Sequence, residues 1–175
     1  TLWPIIQSGL KPVFVDVDLN SFCIDYSKLV KKVTKKTKAI ILVNVLGNSP
    51  EIKKIRNFAD KKKIYLIEDN CESLGSKYGG KYLGTFGDFG TFSFYYSHQV
   101  TAGEGGMIVC KSKDDYDILK SLRAHGWDRE IKKKKVKDFN FINEGFNLRP
   151  LEVSASIGMN QFKRLDKMMK IRSYN

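Results

Sequence analysis

Residues 39–69, AIILVNVLGNSPEIKKIRNFADKKKIYLIED, form the stretch that decides the fold of this chain. It begins with the apolar run 39–43 and ends with a second run, 64–67. Such short runs are typical of strands buried on both faces of a sheet. Between them Pro50 opens a segment whose apolar residues recur at helical spacing: Ile52, Ile55, Phe58 and Ala59. The stretch therefore predicts a strand, a helix and a strand, with Asp69 directly after the last.

The preceding residues continue the same alternation. Residues 12–16, PVFVD, predict a strand, and Asp25 can cap a helix that extends to about Val33. We expect Leu29, Val30 and Val33 on the apolar side of that helix. Alternating strands and helices indicate right-handed parallel βαβ units, with helices packed on the sheet. Ligands bind outside the carboxyl ends of such strands, which places Asp69 near a site.

The second half of the chain has a different pattern. Turn-rich sequence between residues 78 and 90 flanks a short hairpin, and residues 91–95 and 107–110 predict two further strands. A helix is predicted over 114–125, ended by Gly126. Residues 127–146 are predicted to form an exposed or intersubunit loop. Pro150 opens a last helix that reaches about Met169.

Size and composition indicate one globular domain. The chain has 175 residues, and 42% hydrophobic content with 12% aromatic residues argues against disorder. No run approaches the roughly 18 apolar residues of a membrane helix, and no signal peptide is visible. The three cysteines are far apart and lack metal-ligand spacing, so we expect no metal site and no disulfide. Reduced thiols favour a cytoplasmic protein.

The basic surface charge is not patterned for nucleic acid. A net charge of +12 comes from 31 basic and 19 acidic residues, and much of the excess lies in scattered lysine runs. These runs are not interleaved with aromatic residues on one face, so we expect solvated surface rather than a nucleic-acid groove. Two runs fall at predicted helix ends, where cations complement the helix dipole. An anionic substrate would be attracted to such a surface.

Two motifs carry the chemistry. Residues 68–76 read EDNCESLGS, and residues 93–106 read SFYYSHQVTAGEGG. Together they resemble the active-site core of the DegT/DnrJ sugar aminotransferase family, whose members bind pyridoxal phosphate and act on nucleotide-linked keto sugars. The resemblance implies the large domain of a fold-type I enzyme, with a three-layer αβα arrangement around a mostly parallel sheet. It also implies a homodimer with a shared active site.

His98 departs from most of that family. The matching position is usually the lysine that bonds covalently to the cofactor, and imidazole has no primary amine with which to do so. A small subgroup of sugar 3-dehydratases carries histidine there. Resemblance to that subgroup implies a cofactor held non-covalently, as pyridoxamine phosphate, with His98 as the catalytic acid and base.

Two further residues match the cofactor-binding positions of the family. Asp69 matches the aspartate that faces the pyridine nitrogen, and Ser93 matches the phosphate-binding serine five residues before the family lysine. A carboxylate keeps the ring nitrogen protonated and so makes the ring an electron sink. On residue chemistry alone, Asp69 could instead cap a strand end, and Ser93 could simply fill an alternating strand.

Two other positions follow from the resemblance. Glu72 stands where a glutamine usually lies beside the cofactor ring. Asn147 matches the asparagine that reaches across the dimer interface to the neighbour's cofactor phosphate. From sequence alone, Asn147 reads as a cap of the helix at Pro150, and Arg149 reads as structural.

The implied reaction is removal of the C3 hydroxyl from a nucleotide-linked 4-keto-6-deoxy sugar, in deoxysugar and O-antigen polysaccharide biosynthesis. One alternative is a sugar aminotransferase that uses another lysine, with Lys77, Lys81 and Lys111 nearest in sequence. Another is a non-catalytic cofactor-binding member. The resemblance covers essentially all 175 residues. We expect the chain to be the central part of the large domain, without an amino-terminal segment and a carboxyl-terminal small domain.

Overall fold

The computed structural model describes residues 1–131 and 139–174. Its helices are α1 (Leu2–Gln7), α2 (Tyr26–Lys32), α3 (Ile52–Lys62), α4 (Lys113–Arg123), α5 (Glu152–Phe162) and α6 (Leu165–Tyr174). Its strands are β1 (Ala39–Val43), β2 (Tyr65–Asp69), β3 (Lys77–Tyr78), β4 (Lys81–Tyr82), β5 (Phe89–Ser93) and β6 (Gly106–Cys110).

The main sheet has the strand order β1-β2-β5-β6. Strands β1, β2 and β5 are parallel, and β6 runs antiparallel to β5. The register aligns Val43 with Asp69 and Asp69 with Thr91, so the carboxyl ends of the three parallel strands meet at one edge. The predicted α/β class, with a mostly parallel sheet flanked by helices, is confirmed. The predicted hairpin is the separate pair β3 and β4.

One face of the sheet carries the main core. Ile40, Leu42 and Leu66 pack with residues of α2 and α3 in one buried cluster, which includes Leu29, Ile52, Ile55 and Ala59. Burying each leucine or isoleucine side chain of this cluster stabilises the fold by about 1.5–3 kcal/mol. Alternate residues of β1 are only partly buried. The prediction of a strand buried on both faces is therefore wrong for β1, because the core cluster lies against one face of the strand.

The first helix of the core begins as predicted. The Asp25 side chain accepts hydrogen bonds from the N–H groups of Ser27 and Lys28, at 2.7 and 3.2 Å. Leu29 is buried, but Val30 is 39% exposed and does not share its apolar side. Lysine pairs lie in the last turns of α2 and α3, as predicted. The lysine run at 132–135 lies outside the described residues.

Two predicted elements differ from the structure. Residues 12–16 form no strand, and beside them Val17 makes only an isolated bridge with Ile24. Val13 and Phe14 are 61% and 73% exposed, and no strand within residues 1–131 and 139–174 pairs with this segment to stabilise it. The last helix is two helices, α5 and α6, with a turn at 163–164. No glycine or proline marks that turn, and Leu165 is buried beside it.

Residues 127–131 and 139–146 lie outside the helices and the named strands, in agreement with the predicted loop. Trp127 makes one bridge with Phe141 and stacks on Phe139, with 4.8 Å between ring centroids. Within the described part of the chain, no helix is long and apolar enough to cross a membrane.

Candidate active site

The carboxyl edge of the parallel strands carries Asp69 and Ser93. Asp69 is the last residue of β2 and pairs in register with Thr91 of β5. Ser93 lies two residues beyond Thr91, and alternate residues of a strand point to the same face. The structure therefore brings Asp69 and Ser93 to the same face and the same edge of the sheet.

The Asp69 carboxylate is partly buried and has two hydrogen-bond donors. Oδ1 accepts from the Cys71 N–H at 3.2 Å, and Oδ2 accepts from the Thr1 hydroxyl at 2.5 Å. Burial raises the pKa of Asp69, but hydrogen bonds from Cys71 and Thr1 outweigh it and leave the pKa below its ordinary value. The group is thus anionic at neutral pH and can face a cation.

Cys71 beside it is not a nucleophile. Burial, with the neighbouring Asp69 carboxylate, raises the pKa of the Cys71 thiol to about 12. A thiol with such a pKa stays protonated at neutral pH and is chemically inert. We therefore interpret Cys71 as a packing residue.

Glu68, whose role was not predicted from the sequence, organises the neighbouring backbone. Glu68 is fully buried, and Oε1 accepts from the N–H groups of Phe86 and Gly87 at 2.7 and 2.6 Å. Oε2 accepts from the Gly84 N–H at 2.7 Å. These bonds hold the loop that leads into β5, the strand that carries Ser93. The alternation from buried Leu66 to position 68 was the signal that could have revealed it.

His98 lies in the loop that follows β5. The Ser93 hydroxyl accepts from the Tyr95 N–H at 3.2 Å, where the chain leaves the strand. The His98 N–H donates to the Tyr95 carbonyl at 3.1 Å, and the two rings meet edge to face with centroids 6.1 Å apart. Among residues 1–131 and 139–174, none hydrogen-bonds to the imidazole. Both ring nitrogens can therefore interact with a ligand.

Glu72 is exposed and is bonded to the loops on either side of it. Its carboxylate accepts from the Leu46 N–H at 3.1 Å, in the 3₁₀ turn after β1. Its main-chain oxygen accepts from the Gln99 side chain at 2.5 Å. Gln99, which was not predicted as a site residue, is only 9% exposed. A polar residue in a turn-rich loop gave no signal that it would be buried.

Among the described residues, no hydrogen bond joins Asn147 to the other predicted site residues. It is exposed and makes an antiparallel bridge with Ala124. The interpretation of Asn147 as a helix cap is wrong, because α5 begins at Glu152 and Leu151 is its N-cap. Its role across a dimer interface stays a prediction. Arg149 pairs with Glu130 at 3.5 Å, which agrees with a structural role.

The three alternative lysines have other contacts. Lys111 Nζ donates to the Phe86 carbonyl at 3.0 Å. Lys111 directly follows Cys110, which pairs with Phe89 at the start of β5, so Lys111 lies at the end of the strand opposite to Ser93. The amines of Lys77 and Lys81 lie over the rings of Tyr82 and Phe86, 4.4 and 4.7 Å from the centroids.

A cavity of about 340 Å³ is found elsewhere, lined in part by Asp25, Glu51 and Tyr78. None of the predicted site residues lines it. The chemistry of the sequence motifs therefore favours the strand edge over this cavity as the site.

The model of the DegT/DnrJ/EryC1/StrS aminotransferase family matches residues 1–175, the whole chain. The chain belongs to this family. One relative is GDP-4-keto-6-deoxy-D-mannose 3-dehydratase of Escherichia coli O55:H7, which is 43% identical over 186 residues. That alignment covers 100% of the present chain and 48% of the enzyme, so the chain spans about half the length of the curated relatives it matches.

Solved structures that are similar to this chain support the same fold. The E. coli GDP-4-keto-6-deoxy-D-mannose-3-dehydratase with bound hydrated PLP superposes with a TM-score of 0.92 at 43% identity, covering 99% of this chain and 48% of that one. A variant of the protein ColD, in which a histidine is changed to lysine and the serine before it to asparagine, superposes with a TM-score of 0.88 at 43% identity. The superposition covers 94% of this chain and 46% of the ColD chain.

Proposed function

We propose that the protein containing this chain is a pyridoxal phosphate- and pyridoxamine phosphate-dependent 3-dehydratase of a nucleotide-linked 4-keto-6-deoxy sugar. The observation that carries the proposal is the imidazole of His98 in the loop after β5, in a family of aminotransferases. The chain has one Ser-His pair, Ser97-His98. A serine-histidine pair is also the site of substitution in the ColD variant.

The residues present fit the cofactor. Asp69 is an anionic carboxylate at the strand edge, suited to a protonated pyridine nitrogen. Ser93 lies at the same edge and offers a hydroxyl to the phosphate. When bound, the cofactor supplies an amine for the sugar's 4-keto group and a ring that accepts electrons.

His98 supplies the proton transfer. Imidazole takes up and releases a proton near neutral pH, and a general acid lowers the barrier to loss of a hydroxyl. We propose that His98 protonates the C3 oxygen of the sugar, so that the C–O bond breaks and water leaves. The product is a 4-keto-3,6-dideoxy sugar, and the two electrons that this loss of oxygen requires would come from conversion of pyridoxamine phosphate to pyridoxal phosphate with release of ammonia.

The test is a single turnover of the full-length protein loaded with pyridoxamine phosphate. With a nucleotide-linked 4-keto-6-deoxy sugar, we expect ammonia and a sugar that has lost its C3 oxygen, measured by enzymatic assay and mass spectrometry. His98→Asn should reduce both to a small residual rate. Transfer of an amino group to the sugar, with every other oxygen retained, would show an aminotransferase instead. A cofactor that binds but leaves the sugar unchanged would favour a non-catalytic member.

A second test concerns the attachment of the cofactor. Borohydride should not fix the cofactor to any lysine of the native protein, because the amines of Lys77, Lys81 and Lys111 have contacts away from the motif loop. His98→Lys should allow fixation at position 98, detected by peptide mass spectrometry. Fixation to a native lysine would contradict the proposal.

We further propose that this chain is the central part of the cofactor-binding large domain of a cytoplasmic homodimer. The free thiols of Cys23, Cys71 and Cys110 suit a reducing compartment. Exposed apolar residues on α5, such as Val153 and Met159 at 71% and 70%, support contacts with further chain or a second copy.

Complementation between protomers tests the shared site. If Asn147 serves the neighbour's cofactor, mixing full-length His98→Asn and Asn147→Ala protomers should restore activity that each variant lacks alone. Mixed dimers that stay inactive would contradict a shared site.

A further inference from the structure

The loop that carries His98 is closed at its base. Phe94 N–H donates to the Gly105 carbonyl, and Ala102 N–H donates to the Phe94 carbonyl, each at 2.9 Å. Val100 and Ala102 are buried, at 2% and 5% exposure. The return half of the loop is therefore packed.

Gln99 connects this loop to the next one. Its Nε2 donates to the main-chain oxygen of Glu72, and the Glu72 carboxylate accepts from the Leu46 N–H. Leu46 follows β1, Glu72 follows β2 and Gln99 lies in the loop after β5, and these strands are neighbours in that order. A line of side-chain hydrogen bonds thus joins the three loops at the carboxyl edge.

The Gln99 side chain that makes this connection also has an unsatisfied hydrogen-bond acceptor. Its Oε1 is buried, and no hydrogen bond to it is found within the described residues. Such an acceptor costs about 1–3 kcal/mol, and a contact retained at that cost is expected to serve function more than stability. His98 is the adjacent residue, and its ring has no described hydrogen bond of its own.

We propose that Gln99 is a positioning residue that places the His98 imidazole relative to the edge that carries Asp69. The inference rests on the proposed role of His98. Gln99 acts through the backbone, because its hydrogen bond fixes the chain one residue beyond the ring.

Gln99→Met in the full-length enzyme tests the proposal, since methionine keeps the length of the side chain but removes the donor. We expect kcat to fall on the order of 10- to 100-fold, because a misplacement of about 1 Å can cost that much. KM for the sugar and the melting temperature should change little, because the loss of the hydrogen bond to Glu72 is offset by the loss of the buried, unsatisfied Oε1. Gln7→Met, on an exposed glutamine of α1, is the matched control and should leave all three unchanged.

A double variant separates positioning from a general structural defect. In a His98→Asn background, Gln99→Met should cause no further loss of the residual rate, because both changes affect one group. Additive losses would overturn the positioning role. The rate at which diethyl pyrocarbonate modifies His98 can be measured without catalytic turnover. This rate should differ between Gln99→Met and wild type.

Gln99→Glu provides a second variant should Gln99→Met fail to fold. At neutral pH the introduced carboxylate would face the Glu72 carbonyl and repel it, whereas the protonated form can donate. The kcat of Gln99→Glu relative to wild type should therefore rise as the pH falls, and a constant ratio would contradict the role of the donor.

The two proposals fail in different ways. Normal turnover by His98→Asn would overturn the proposed function itself. Loss of turnover in His98→Asn, together with an unchanged kcat in the Gln99 variants, would overturn the positioning role alone.

Discussion

The fully buried carboxylate of Glu68 accepts a hydrogen bond from the Gly87 N–H at 2.6 Å. With the bonds from Gly84 and Phe86, this contact fixes the backbone that enters β5. Glycine at position 87 lets the backbone come this close to β2, because a Cβ there would lie 2.6 Å from the Leu66 carbonyl oxygen. A side chain of β2 thus sets the path of the strand that ends at Ser93.

Glu68→Gln should destabilise the protein. The amide offers one oxygen in place of two, and its NH₂ group would face backbone donors, so we expect a loss of about 3 kcal/mol in the free energy of unfolding. Urea unfolding measures the loss. Glu144→Gln, at an exposed position, is the control, and equal unfolding midpoints for the two variants would contradict the prediction.

Asp69→Asn should impair catalysis with little effect on folding. The lowered pKa of Asp69 means that a full negative charge is present at neutral pH, and a neutral amide removes it. We expect kcat/KM to fall on the order of 10²-fold, as for loss of a preorganised electrostatic group. Steady-state kinetics measure the effect, and exposed Asp166→Asn serves as the control. An unchanged kcat/KM would show that Asp69 does not face the cofactor.

Gly126→Ala should disturb the segment that presents Asn147. A Cβ at Gly126 would lie 1.6 Å from the Asn143 carbonyl oxygen, and φ is +80° there. Gly9 has φ +68° with nothing within 4 Å of its Cβ position, so Gly9→Ala measures the backbone strain alone. We expect Gly126→Ala to lose at least about 2 kcal/mol more than Gly9→Ala in urea unfolding, from overpacking. Equal losses would refute the close contact.

Asp88 should contribute a pH-dependent stability. Burial raises its pKa, but the Leu66 N–H at 2.7 Å and Arg56 at 2.9 Å outweigh this and leave the pKa below 3.8. Because the pKa of Asp88 is lower in the folded state than in the unfolded state, its stabilising effect is complete above the unfolded-state pKa. It is lost as the pH falls through the folded value.

Comparing the free energies of unfolding of wild type and Asp88→Asn tests this direction of the pH dependence. At pH 7 we expect a difference of about 1–2 kcal/mol in the free energy of unfolding, and the difference should shrink below about pH 4. Asp114→Asn, an exposed position at the start of α4, should differ from wild type by less than about 1 kcal/mol. A difference that grows in acid would contradict the prediction.

Local pattern predicted much of the fold and part of the site. The apolar runs of β1 and β2 and the helical spacing of Ile52, Ile55 and Ala59 each depend on residues close in sequence. The Asp25 cap depends only on its own turn. The parallel arrangement followed from alternation, so the place of Asp69 at a carboxyl edge was predictable as well.

Elements that depend on distant partners were not predictable in this way. In the part of the chain that the structure describes, no strand pairs with the β-forming residues 12–16, and the turn between α5 and α6 has no local marker. Asn147 has the composition of a cap, yet its backbone pairs with Ala124 instead. In each case a contact across the chain, or the lack of one, outweighs local preference.

By itself, the sequence determined the α/β class, the family and the presence of imidazole in the motif loop, because periodicity and side-chain chemistry are local properties. Only the tertiary structure decided that Gln99 is bonded to Glu72 and that Lys111 lies at the far end of β5. Those relationships join residues 25 or more positions apart. Their geometry exists only once the strands are aligned in register.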